Sequence, residues 1–522
     1  MSAGEGRRAG HGRRNDLNPD ELSALTRGQF LSAAGGAAGL FGFVPAAYGA
    51  KLRSSASSSQ ARLQAAGNRS HLVRSFRSRP DLRPPAASFY AGKAQAAFAE
   101  GYSFLGPTSG GGAQAGLLIV DAGGEPVWFK PLSSGRWAAN FRVQLYRGKP
   151  ALTWWEGTVV APGYGRGEGV IMDSSYHEIA RVRAAKGRFV DLHEFLLTPQ
   201  GTALITCYPH TVRADLRSVG GARDGQVIES IIQEIDVQTG RLLLEWRSTE
   251  HVRVSESYLP AGGVYDYLHA NSIDLTADGR LLVSARHTCA LYRLDRRTGR
   301  VIWRMGGKRS NFAVGRAARF AWQHDARQVG KGLITLFDDG AGPKRSRSHS
   351  RGLVLEFDPA RRSVRLARSY RHPNPLLAYA MGNMQVLPDG NVMIDWGNIP
   401  LLSEFAANGS LVADLWLPWT NSSYRGFRLP WSGSPTNAPA LEATLNPATG
   451  RITLYASWNG ATNLSAWQVS VGASASALQP VGVAQRNGFE TIIALGRASG
   501  YAAVTALDAG GRLLATSAPI KL

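Results

Sequence analysis

The sequence predicts an all-β chain, a β-propeller followed by a small β-sandwich. Three observations predict it. Gly (60), Pro (26) and Trp (13) are abundant, and no stretch has the periodicity of a long amphipathic helix or a heptad. Hairpin units recur, with Gly201, Gly279, Gly332 and Gly390 as register marks at intervals of 78, 53 and 58 residues. Propeller blades repeat at about 40–50 residues, and inserted loops lengthen the interval. After Pro435 the texture changes to short alternating strands without a single His.

At 522 residues the chain exceeds one small core. The formal net charge is +21, and only nine of the 59 basic residues are Lys. Residues 1–80 carry 12 Lys or Arg against 4 Asp or Glu, so part of the excess belongs to a basic leader. No basic helix or RNP-like motif accompanies the charge, so nucleic acid is not the expected partner. Steering of a small anion into a cleft is the functional use that remains.

In chain order, residues 1–50 read as an export signal. Thr26-Arg27-Gly28-Gln29-Phe30-Leu31 precedes a weakly apolar Gly/Ala-rich run and small residues near a cleavage point. The stretch resembles a twin-arginine signal in which Gly28 stands where the second Arg belongs. The expected location is therefore extracellular or in the cell envelope. The apolar run is too short for a permanent membrane helix. Residues 51–77 read as a flexible linker, residues 78–435 as the propeller and residues 436–522 as a small immunoglobulin- or fibronectin-like sandwich.

Two kinds of unit alternate in the propeller region. One is a turn followed by a strand ending in Trp, as in Gly123–Trp128, Asp236–Trp246 and Asp295–Trp303. The Trp residues are expected between blades rather than against a ligand. The other is a hairpin, clearest over His269–His287: a strand with alternating Ser272, Ile273, Asp274 and Leu275, a turn at Ala277-Asp278-Gly279, and a return strand from Leu281 to Ala285. A hairpin brings its chain back, so His269 and Arg286 fall at the same end.

Three successive units bring in a His ahead of the turn glycine: His193 by 8 residues, His269 by 10 and His324 by 8. A lone His at a strand end is ordinarily a satisfied polar residue. Three in register beside Arg286 point instead to one shared site. His287 is expected to point away from Arg286 if the return strand continues. Imidazole attacks electrophiles, shuttles protons or binds metal, whereas Arg holds oxyanions through a planar fork of donors. No set of paired acids is evident beside them. The combination suits a sulfuryl, phosphoryl or carboxylate group. A cation would be opposed by the Arg, so no metal and no cofactor is expected. Cys207 and Cys289 each lie behind a strand that follows one of these His residues, and the sequence leaves their pairing open.

Asp266-Tyr-Leu-His-Ala-Asn-Ser-Ile-Asp274, Ser284-Ala-Arg-His287, and Trp322-Gln-His-Asp325 followed by Leu336-Phe-Asp-Asp-Gly340 resemble the arylsulfotransferase family. So do Ser78–Pro85, Gly382–Asn391 and Ser423–Arg428, and the similarity spans roughly residues 78–435. It is greatest to an actinobacterial and fungal-like branch with an appended sandwich. The resemblance implies a six-bladed propeller with the site in its central channel. It also implies sulfuryl transfer from an aryl sulfate to a phenol without a nucleotide donor. Carried over by motif, His324 is the nucleophile that becomes sulfohistidine, His269 and Arg286 hold the sulfuryl oxygens, and His193 is a further sulfate-binding or acid–base His. Asp325 and Asp339 depart from the family pattern, either orienting His324 or facing solvent. Two rival readings are a non-catalytic extracellular propeller that binds carbohydrate or protein, and a quinoprotein-like oxidoreductase suggested by the Trp-rich turns.

Overall fold

The computed structural model describes residues 72–92, 99–161, 163–342 and 346–522. The expected export signal and residues 51–71 of the expected linker lie outside the described residues. The chain is all-β, its described helices being single turns such as Ser248–His251. No described helix is long and apolar enough to cross a membrane.

Six sheets follow one another, antiparallel except that the short strand Ala313–Val314 pairs parallel with Ser363–Tyr370 in the fifth. The first is made from both ends of its region: Gly426–Leu429 pairs with Tyr102–Leu105, which leads to Gly116–Val120 and Pro126–Pro131. The second runs Trp137–Tyr146, Lys149–Ala161, Tyr164–Met172 and Glu178–Val182. The third comprises Phe195–Leu197, Thr202–Cys207, Ile231–Asp236 and Leu242–Arg247, and the fourth Ala270–Leu275, Leu281–Ala285, Ala290–Leu294 and Val301–Gly306. The fifth holds His324–Gly330, Leu333–Asp338, Arg351–Asp358 and Ser363–Tyr370; the sixth holds Asn383–Val386, Val392–Asp395, Leu401–Phe405 and Leu411–Trp416. Each sheet packs on the next, and the sixth packs on the Gly426–Leu429 strand of the first.

The hairpins expected from the Gly register form as read. Leu275 pairs with Leu281 around a turn whose Gly279 has φ +76°, and Val386 pairs with Val392 around Gly390 at φ +87°. These are left-handed conformations that favour glycine. The Trp residues of the turn-and-strand units lie between sheets, as expected. Trp246 shares a core with Tyr267 and Leu268, Trp128 one with Phe141 and Trp154, and Trp303 meets Phe312 and Phe357 edge-on or tilted. Burying such a ring contributes on the order of 2–3 kcal/mol each, which holds adjacent sheets together.

The last residues form two further sheets around one core of Leu454, Trp467 and Val504. They are not a loose appendage. Phe489 enters the core of Leu82, Phe129 and Leu415. Glu490 accepts hydrogen bonds from Ser78 N (2.7 Å) and Ser78 Oγ (2.6 Å), and Asn459 bonds both backbone groups of Phe129 at 2.9 Å.

A candidate active site of three histidine–aspartate pairs

His193 lies two residues ahead of the first strand of the third sheet, His269 immediately ahead of that of the fourth, and His324 opens the fifth. The sheets lie side by side, so these strand starts meet. The rings of His193 and His269 are 4.7 Å apart, and those of His269 and His287 4.6 Å. His324 and Arg286 lie within the same electrostatic cluster. All four sequence-derived residues are thus brought together although 131 positions separate the outermost.

The backbone is strained where they meet. His269 (φ +58°), Trp322 (+60°), Asp325 (+52°) and Met381 (+70°) are non-glycine residues in the left-handed region. The pairing registers slip at Ala270/Ser272 and at His324/Arg327. Such bulges re-aim side chains, and strain of this kind concentrates at functional sites.

The motifs showed no set of paired acids and offered only Asp325 or Asp339 as orienting His324; the structure places a carboxylate behind all three imidazoles and takes Asp339 of those two. Each His holds a buried carboxylate on Nδ1. His193 Nδ1 contacts Asp191 Oδ1, His269 Nδ1 lies 2.6 Å from Asp266 Oδ2, and His324 Nδ1 lies 2.8 Å from Asp339 Oδ2. Two of the pairs were visible as short spacings, Asp191-Leu-His193 and Asp266-Tyr-Leu-His269. Asp339 comes from the far end of the adjoining strand, and only the Leu333–Asp338 return brings it back to His324.

Hydrogen bonds fix the state of His324. Met381 N donates to its Nε2 at 3.2 Å, so that nitrogen carries the lone pair and Nδ1 carries the proton given to Asp339. Burial, together with Arg286 and the neighbouring His residues, holds its pKa well below the ordinary range. Burial also lowers His193, against the pull of Asp191. Burial pushes Asp339 up, although Arg286 opposes it. Asp266 is instead held low: His269, His287 and the Tyr164 hydroxyl, which donates at 2.6 Å, outweigh its burial. Tyr208 donates its hydroxyl proton to Ala270 O at 2.6 Å, which leaves its oxygen to accept from His193 Nδ1 at 2.9 Å. Several buried polar atoms here have no hydrogen-bond partner: Asp266 Oδ1, Asp339 Oδ1, Arg286 Nε and the Tyr424 hydroxyl.

His287 differs from expectation. The strand ends at Ala285 and residues 286–289 turn. His287 therefore faces the cluster, its Nδ1 donating to Asp266 O at 2.6 Å and its Nε2 accepting from Arg286 Nη1 at 3.2 Å. Asp266, His269 and His287 each place one potential ligand atom within 4.8 Å of the others. Both His287 nitrogens are already committed, one of them to a guanidinium, so the group suits an anion better than a cation.

Asp325 does not orient His324. It joins a second buried network in which Arg327 lies 2.5 Å and Arg425 3.4 Å from it. At the centre of that network is Glu194, 3.1 Å from Arg142, 2.6 Å from Arg327 and 3.2 Å from Arg425. Burial alone would raise the Glu194 pKa; the three guanidinium groups bring it from 4.5 down to about 2. Because the folded value lies below the unfolded one, this stabilisation is complete above the ordinary glutamate range and is lost as pH falls toward about 2. Glu194→Gln is expected to destabilise the chain by about 3–5 kcal/mol at neutral pH, since it leaves buried cations uncompensated. A thermal or urea melt measures it, and an unchanged midpoint would refute it.

Cys207 and Cys289 are both free thiols and both buried.

A family model described as "Arylsulfotransferase (ASST)" matches residues 142–417, just over half of the chain. No curated protein matches the sequence. Among solved structures, one similar chain is a protein of unknown function from Bacteroides caccae, 13% identical, covering 63% of this chain and 98% of its own, with a TM-score of 0.38. A virginiamycin B lyase from Staphylococcus aureus is 9% identical, covers 70% of this chain and 94% of its own, and has a TM-score of 0.33. An apocarotenoid oxygenase from Synechocystis is 12% identical, covers 63% and 74%, and also scores 0.33. Likenesses at this level carry no argument about fold or chemistry.

Proposed function

We propose that this chain, which belongs to the arylsulfotransferase family, is an exported enzyme that moves a sulfuryl group from an aryl sulfate to a phenol through a sulfohistidine at His324. The six sheets are then the blades of a β-propeller closed by Gly426–Leu429, the His cluster lies in its channel, and residues 436–522 form the sandwich. The observation that carries the reading is the His324–Asp339 pair: a buried, neutral imidazole with its proton on Nδ1 and its lone pair on Nε2.

In the first half-reaction Nε2 attacks sulfur in line as the Met381 hydrogen bond gives way. The N–S bond forms and the S–O bond to the aryl group breaks. Asp339 accepts the Nδ1–H and offsets the positive charge that develops on the ring. Arg286 stabilises the sulfuryl oxygens, and His269 enters the step as an imidazolium, giving its Nε2 proton to the leaving phenolate while its Nδ1–H stays hydrogen-bonded to Asp266. In the second half-reaction the acceptor phenol returns a proton to that His, and its oxygen takes the sulfuryl group from Nε2. Dividing the transfer in this way is covalent catalysis and produces ping-pong kinetics.

The test is transfer from a chromogenic aryl sulfate to phenol by the purified full chain, with parallel lines in double-reciprocal plots. Absence of turnover with retained sulfate binding would favour the binding-module reading instead. The pH profile is a second check. A nucleophile whose pKa lies below the ordinary imidazole value of about 6.5 stays neutral through that range. The donor half-reaction is therefore expected to stay level as pH falls through about 6.5; a half-maximal rate there would contradict the assignment.

A further inference from the structure

Arg286 is gripped on three sides. Its Nη1 donates to His287 Nε2 at 3.2 Å and its Nη2 to Tyr379 O at 2.6 Å, while its guanidinium lies 5.5 Å from the centre of the Trp322 ring. Its Nε is buried without a partner. Two of five N–H donors are thus committed and the rest remain for an anion. Trp322 is wedged in turn against Gly342, where a Cβ would come within 2.3 Å of the indole.

The His287 contact is the side-chain member of this grip whose direction is chemically determined. Its Nδ1–H is given to the Asp266 carbonyl at 2.6 Å, which leaves the lone pair on Nε2, facing Arg286. Burial, with His269 and Arg286, holds its pKa down at about 3 even though Asp266 pulls the other way. The ring is therefore an acceptor toward Arg286 throughout the working pH range and not a proton shuttle.

We infer that His287 is a positioning residue: it accepts from Arg286 Nη1 and so turns the guanidinium fork to present its uncommitted donors to the sulfuryl oxygens. The inference deepens the sulfuryl-transfer reading and rests on it. With both nitrogens engaged, His287 neither touches the reacting sulfur nor binds a metal. Without it, Arg286 keeps its charge but loses its aim, and misplacement of about 1 Å at a reacting centre costs on the order of 100-fold.

Three full-length variants separate the acceptor from the ring. His287→Gln places its amide oxygen where Nε2 stood, as an acceptor for Arg286. His287→Asn reaches Asp266 O but falls short of the guanidinium. His287→Phe keeps the ring volume and has neither group. Steady-state sulfuryl transfer and calorimetric binding of inorganic sulfate are measured for each, with a thermal melt to show which variants fold. The expected result is a loss of about 100-fold in kcat/KM, carried mainly by KM, for Asn and for Phe, with weakened sulfate binding in parallel. His287→Gln is expected to recover most of both.

Equal impairment of Gln and Asn would overturn the inference, because ring packing rather than the acceptor would then matter. Unimpaired Asn or Phe would overturn it too, as would a divalent-cation requirement lost in all three. The sulfate arm does not depend on turnover. Sulfate binding that follows the order wild type, Gln, then Asn and Phe, in a series in which wild type transfers nothing, would keep the inference and end the sulfotransferase reading.

Discussion

His324→Asn is expected to carry no sulfuryl group after exposure to aryl sulfate and to release no burst of phenol. Wild-type protein given donor without acceptor should do both, stopping after one equivalent. The reason is that His324 alone in the cluster has an Nε2 lone pair set by a backbone donor, Met381 N, and a carboxylate behind Nδ1. Asparagine offers no comparable nucleophile. Loss of His269 or His193 removes a donor or a proton shuttle instead, and losing one such donor commonly costs about a hundred- to a thousand-fold without abolishing the intermediate. The distinguishing measurement is intact mass after rapid quench. An adduct on the His324→Asn protein would place the nucleophile elsewhere and remove the central residue of the mechanism.

Asp339→Leu is the second large effect, on the order of 10⁴-fold in kcat, by analogy with loss of the carboxylate that backs a catalytic His in a serine protease. Asp339 is fully buried, and its Oδ2 accepts the Nδ1–H of His324. Leucine leaves that N–H without an acceptor, so the ring has no reason to keep its proton there and nothing to offset the charge that forms on attack. Asp339→Asn should fall between leucine and wild type. Its amide oxygen can still accept from Nδ1, because the other carboxyl oxygen, Asp339 Oδ1, has no partner to hold the amide in the opposite sense. Single-turnover release of phenol from the donor measures all three proteins. A leucine variant that reacts as fast as wild type would show that His324 does not need its carboxylate.

The hairpins around Gly279 and Gly390 were legible because a turn requiring positive φ leaves a glycine in the sequence. The inter-sheet role of Trp246 was legible because a large apolar residue at a strand end has to be buried. Export is a different matter: the leader lies outside the described residues, so that expectation stands as a proposal.

Local sequence therefore determined the strands, their turns, and the identity of His193, His269, Arg286 and His324 as one group, because a regular hairpin offset puts equivalent positions at equivalent strand ends. It left open whether Asp325 or Asp339 orients His324, and whether the short Asp191 and Asp266 spacings put a carboxylate behind an imidazole. Asp339 meets His324 only through strand pairing, and Arg425 meets Glu194 across 231 positions. It also misdirected His287, because whether a strand runs on past Ala285 or turns there depends on what the chain packs against, not on alternation. Protonation state, tautomer and the aim of Arg286 were decided by the tertiary structure alone. They are properties of burial and of neighbours from other sheets, and no residue carries them by itself.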